Sequence, residues 1–133
     1  MKTCVEFRTD KFPPYEGEKE DINPDRWGKR LTEYLEQKLN AEGIQTSEMH
    51  TEDWGWVLPV VNDEFSLWIG CGNYLEWPDG FLCFVEPKKT YVRKWFKKID
   101  TREKVGRVID AINRILTSDP DIRDVRWWKE DEE

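Results

Sequence analysis

The sequence predicts an α+β fold, a mainly antiparallel sheet of about five or six strands with two helices packed on one face. Three observations lead there. Apolar residues recur at helical spacing in only two stretches, around residues 27–39 and 105–116. Short β-like segments, separated by turn residues, fill the interval between them. Two helices cannot cover both faces of such a sheet, so a two-layer sandwich in the order β-α-β-β-β-β-α-β is the economical arrangement.

Residues 3–9 alternate, with Val5 and Phe7 on one side and Cys4, Glu6 and Arg8 on the other, which predicts a strand. Asp10 to Asp21 reads as an acidic loop broken by Pro13, Pro14 and Gly17. Asn23-Pro24 is a helix start, with Asn as cap and Pro in the first turn. Trp27, Leu31, Tyr34, Leu35 and Leu39 form its apolar stripe, and Gly43 suits its C-terminus. Ile44–His50 is a weak strand. Trp54–Val61 and Glu64–Cys71 read as a hairpin closed at Asn62-Asp63. Trp77-Pro78-Asp79-Gly80 has the composition of a type I turn, and Phe81–Val85 is a near-continuous apolar strand. Tyr91–Lys98 fits either one helical turn or an irregular segment. Asp100-Thr101-Arg102-Glu103 looks like a helix cap, and Val105, Val108, Ile109, Ile112, Ile115 and Leu116 follow as a core stripe. Asp119-Pro120 stops that helix, and Ile122–Trp128 is a last strand. One domain is expected over residues 1–128, with residues 129–133 as an acidic tail.

At 133 residues the chain has the length of one domain with its own core. Eight Trp, six Phe and four Tyr supply bulky apolar surface that disordered chains lack. The first eight residues carry charges where a signal peptide needs an apolar run, and no stretch approaches the ~18 apolar residues of a span. Cys4, Cys71 and Cys83 are odd in number and widely spaced, which argues against a disulfide framework and for a reducing compartment. The expectation is a cytoplasmic protein with no membrane partner.

The net charge of −7 hides a segregation. Between Leu39 and Pro87 lie nine acids and no Lys or Arg, whereas residues 88–107 hold nine cations against Asp100 and Glu103. Such bipolarity bears on partners rather than on fold.

Trp54, Trp56, Trp68 and Trp77 lie in or beside the central strands, and Trp127 and Trp128 are adjacent on the last one. Neighbours in a strand point to opposite faces, so some Trp must lie away from the helices. Aromatics amid acids suit a protein-binding surface, because Trp anchors an interface while charge steers approach. The candidate surface is Glu52, Asp53, Trp54, Trp56, Glu76, Trp77 and Asp79, facing a basic protein partner.

Other chemistries are weaker in this sequence. Cys71 with His50 as its base would make a thiol enzyme or small hydrolase, but no local signature accompanies them. Cys71, Cys83 and His50 lack the close pairing of zinc ligands, so no metal and no cofactor are expected. Glu52-Asp53, Asp63-Glu64 and Glu76 with Asp79 are paired carboxylates, a pattern inevitable among 28 acids. Lys88–Arg107, with Tyr91, Trp95 and Phe96, has the makings of a nucleic-acid patch, but a pI of about 4.9 disfavours that partner. Nucleotide-binding and hydrolase motifs are missing from the sequence.

Asp53-Trp54-Gly55-Trp56, the run LWIGCGNY from Leu67 to Tyr74, and Pro78–Phe84 with Glu86-Pro87 resemble a family of small uncharacterised bacterial proteins. That resemblance brings no activity or catalytic residue. In size, charge and architecture the chain also resembles immunity proteins that neutralise toxins, and phage-encoded inhibitors, which implies an inhibitory binding role.

Overall fold

The computed structural model describes residues 1–18, 26–74 and 77–130, with Tyr74 described by its backbone alone. Among the described residues, eight strands and two helices follow one another as β1 (Cys4–Arg8), α1 (Lys29–Ala41), β2 (His50–Glu52), β3 (Gly55–Val60), β4 (Leu67–Tyr74), β5 (Trp77–Glu86), β6 (Tyr91–Lys94), β7 (Lys97–Asp100), α2 (Arg102–Ser118) and β8 (Arg123–Trp128). Six strands form one sheet in the order β2-β3-β4-β5-β1-β8, every pair antiparallel. β6 and β7 form a separate two-stranded ribbon. The predicted α+β sandwich is what the chain adopts.

Both helices pack on the same face, α1 over β3 and β4 and α2 over β5 and β8. Alternation along each strand sends Val5, Phe7, Leu58, Ile69, Phe81, Cys83 and Val85 into the layer between. Leu31, Leu35 and Leu39 of α1, and Val105, Val108, Ile112 and Leu116 of α2, meet them there. Among the described residues no helix is long and apolar enough to cross a membrane.

Several local expectations shift. The Asn23-Pro24 start lies outside the described residues, and Trp27 is buried just ahead of α1 rather than in its stripe. Gly43 does end the helix, at φ 84, with Ile44 N–H bonded to Leu39 O and Gly43 N–H to Asn40 O. The weak strand at 44–50 reduces to a single bridge, Thr46 to Val60, and β2 begins only at His50. The loop between β3 and β4 runs from 61 to 66, because Val60 pairs with Leu67 and no two-residue turn closes at Asn62-Asp63. Trp77-Pro78-Asp79-Gly80 opens β5 instead of turning. Proline is tolerated that close to a strand's start, since few ladder bonds need its missing N–H. The segment 91–98 belongs to the β6–β7 ribbon. Thr101 is the α2 cap residue, but its hydroxyl bonds Lys89 O, and Asp100 instead accepts the Arg102 N–H at 2.9 Å.

The acidic loop after β1 is not merely solvated. Glu18 is 5% exposed, and its Oε2 accepts the N–H groups of Gly28 (2.8 Å) and Lys29 (2.9 Å) and Nε1–H of Trp56 (3.1 Å). Its Oε1 takes the Tyr15 N–H at 3.0 Å. One carboxylate thus caps α1 from ten residues away and ties loop, helix and sheet together, with the helix N-terminus favouring its charge. Glu18→Ala is expected to cost about 3 kcal/mol in urea unfolding, because four donors lose their acceptor, and Glu18→Gln about half that.

A second polar cluster closes the far end of the helix layer. Asp119 accepts from Lys11 Nζ, from the Tyr34 hydroxyl at 2.7 Å and from the Asp121 N–H at 2.9 Å. Burial acts to raise its pKa, but Lys11 and Tyr34 outweigh it and hold the group at about 2, below the ordinary 3.8. The unfolded chain therefore binds the extra proton between those values. The stabilisation is complete above about pH 4 and is lost as pH falls through about 2. Asp119→Asn should unfold more easily than wild type at pH 7, and the difference should close over that window in acid titrations of stability.

Candidate functional site

The face of the sheet opposite the helices carries an aromatic cluster. Directly paired residues in an antiparallel sheet share a face, so the register puts Val57, Gly70 and Phe84 on this side together, with Pro59, Trp68 and Glu86 as the next row. Trp54, from the turn between β2 and β3, folds over them. Its ring stacks on Trp68 at 6.1 Å and 24°, and tilts onto Phe84 at 5.1 Å. Trp68 and Phe84 meet edge to face at 5.7 Å. All three are half-buried.

Gly70 makes this packing feasible. A Cβ there would sit 2.3 Å from Phe84 Cζ, so the phenyl ring lies flat on bare backbone. Gly55 serves the turn, with φ 155 and with room for no Cβ against the Cys71 carbonyl, which would be 2.4 Å away. Two hollows flank the cluster. One of about 380 Å³ is lined by His50, Glu52, Trp54, Val57, Pro59 and Trp68 among others, and one of about 200 Å³ lies between Arg26, Trp54, Leu82 and Phe84.

The seven residues singled out in the sequence divide. Glu52 and Asp53 are exposed at the rim, beside half-buried Trp54. Trp56 points to the other face, where Glu18 holds its indole, because it is two residues along β3 from Leu58. Trp77 is 47% exposed, with the Arg8 guanidinium 4.1 Å from its ring centre. Asp79 is no open rim charge, since it bridges Arg8 at 3.2 Å and Arg123 at 2.7 Å. Glu76 lies outside the described residues. The structure adds Phe84, whose only sequence signal is a glycine, Gly70, interrupting the apolar strand opposite it.

A thiol enzyme has no geometry here. Cys71 faces the helices with 0% exposure, paired across the ladder with Cys83, whereas His50 is exposed and lies on the open face. The two sulfurs are 3.9 Å apart, and burial, then the hydrogen bond to Cys71, pushes the Cys83 thiol well above its usual range. No cluster of His, Cys, Asp or Glu among the described residues is able to hold a metal. Of the other carboxylates, Asp63 and Glu64 lie on Lys104, and Glu86 lies on Lys88.

The fold and the face define a two-layer α+β domain with an open aromatic sheet surface. No protein-family model, curated protein or solved structure matches the chain.

Buried thiols make a check on this arrangement. Cys4, Cys71 and Cys83 are all buried and none forms a disulfide, so a thiol reagent at neutral pH should label the native protein only as fast as it opens, and all three promptly in denaturant. Rapid native labelling at Cys71 would restore the enzyme reading.

Proposed function

We propose that the chain is a non-catalytic protein-binding domain that docks a basic protein on the open face of its sheet. The aromatic triad Trp54–Trp68–Phe84, partly exposed on the side away from the two described helices, is the observation that carries this reading. Exposed Glu52 and Asp53 beside it supply the sign of the partner. An immunity-type inhibitor that neutralises a basic toxin is the concrete form, which the likeness in size, charge and architecture to immunity proteins also suggests. Three buried thiols, none in a disulfide, support work in a reducing, cytoplasmic compartment.

The test separates anchor from steering. With a partner captured on the immobilised chain, Trp54→Ala or Trp68→Ala should speed dissociation, by about 2 kcal/mol or roughly thirtyfold for a buried anchor. Glu52→Gln with Asp53→Asn should slow association and flatten its salt dependence, with little change in dissociation. Circular dichroism confirms that each variant is folded. If both rates survive all four changes, the open face is not the interface.

A further inference from the structure

The basic stretch folds into a ribbon that leaves the body of the domain. Its rungs pair Tyr91 with Asp100, Val92 with Ile99, Arg93 with Lys98 and Lys94 with Lys97, so Trp95 and Phe96 form the two-residue loop at the tip. Both stand almost wholly in solvent, at 90% and 102%. Trp95 has φ 61, a left-handed conformation that glycine adopts freely and a bulky residue adopts only under strain. An indole strained and bare at a loop tip adds nothing to the packing of its own chain. Outliers of this kind gather at sites that bind.

Charge narrows what the tip meets. Residues 88–98 hold six cations and no acid, and Arg93, Lys94, Lys97 and Lys98 make no ion pair among the described residues. The acids nearest the ribbon, Asp63, Glu64 and Glu86, are already held by Lys104 and Lys88, so the ribbon keeps its positive charge. Its complement is the exposed acidic rim of the open face, Glu52 and Asp53 beside Trp54.

Finger and face are also neighbours. β5 ends at Glu86, opposite Trp68, and the ribbon starts at Tyr91. A cleft of about 570 Å³ lies between Trp68, Glu86 and the loop of Asp63 and Glu64 on one side and Val92, Arg93 and Lys94 along the ribbon on the other. A projecting finger beside its own complement is what a closed two-fold pair requires, since each copy then gives and receives the same contact. A Trp and a Phe bury about 150–250 Å² each, so two exchanged tips and the surfaces beneath them remove roughly 1,200–2,000 Å², the size of a standard specific interface.

We propose that the β6–β7 ribbon is a docking finger for a second copy of this chain, each Trp95–Phe96 tip seating on the other copy's aromatic face with Lys94 and Lys97 toward its acids. The finger is itself a basic protein surface, so dimer and partner complex exclude one another. The proposal uses the face assigned under the proposed function, but the two fail separately. A tip variant that cannot dimerise keeps its face and should still bind the partner, whereas Trp54→Ala with Trp68→Ala should lose both.

Sedimentation velocity of the full chain decides it. Wild type should be a dimer at micromolar concentration in low salt, with at least ~tenfold weaker association at about 0.5 M salt. Trp95→Ser with Phe96→Ser should be monomeric with an unchanged circular dichroism spectrum. Charge exchange is the sharper arm. Lys94→Glu with Lys97→Glu in one chain, and Glu52→Lys with Asp53→Lys in another, should each be monomeric alone and form a heterodimer when mixed. A wild type monomeric at every concentration, a dimer indifferent to the tip, or a mixture that stays monomeric would overturn the proposal. So would tip-dependent binding of the monomer to anionic vesicles or to a labelled oligonucleotide, which would give the finger to lipid or nucleic acid.

Discussion

A six-stranded sheet has two faces to shelter, and this chain makes helices for one. Everything distinctive about the other face answers that constraint. Helix-facing positions are filled in the ordinary way, by residues such as Ile69, Val85 and Phe81 at 1% exposure or less. On the open side the chain provides its own lid, with Phe84 flat across Gly70 and Trp54 folded back from the turn onto Trp68. A ring laid over a strand glycine restores the cover that the missing side chain would have given the backbone. Such a lid is one residue thick, so its outer surface stays half in solvent. Large aromatics at that depth are poor as solvated surface and effective as interface anchors, so cover and binding surface are the same atoms.

The sheet could not hold that face steady without its connection to the helix layer. Glu18 makes it, accepting from the first turn of α1 and from the Trp56 indole on β3 at once. Trp56 is one residue from Gly55 and two from Trp54, so the strand that carries the lid is pinned on its inner side by a charged acceptor. A buried carboxylate with four donors is stable where the same group unpaired would be costly. The polar loop after β1 is thereby part of the foundation of the open face, although its composition makes it look expendable.

How much of this was legible depended on the range of the interactions. The helices, the strands and the one-sided layering follow from periodicity, a local signal, and α1 ends at Gly43 as a glycine there implies. Face assignment needs register as well. Trp54 and Trp56 share a parity in the sequence, yet Trp54 lies in the turn before β3 and its ring goes to the open side, while Trp56 goes inward to Glu18. Asp79 looked like a rim acid beside Trp77, but its partners Arg8 and Arg123 are 71 and 44 residues away. Phe84 was invisible as a site residue because its significance lies in the glycine across the ladder from it. Pro78 and Gly80 have the chemistry of a turn, and only the β1 and β4 neighbours make them a strand.

Charge segregation along the chain becomes spatial through the topology. β2, β3, β4 and β5 are contiguous in sequence and adjacent in the sheet, so the stretch without cations turns into one continuous surface rather than being diluted among basic elements. The cations that follow are divided between two tasks. Lys88, Lys104 and Arg114 return to acids of the body, at Glu86, Glu64 and Glu42, and neutralise its margins. Arg93, Lys94, Lys97 and Lys98 are carried outward on the ribbon instead, behind two bare rings. A chain needing only solubility would scatter its charges, since mixed signs on one surface avoid large fields of either sign. Keeping the two signs apart, each beside exposed aromatic surface, builds a strong field at both places where apolar contact is on offer. Attraction then brings a partner of opposite sign to the rings, and the rings hold it.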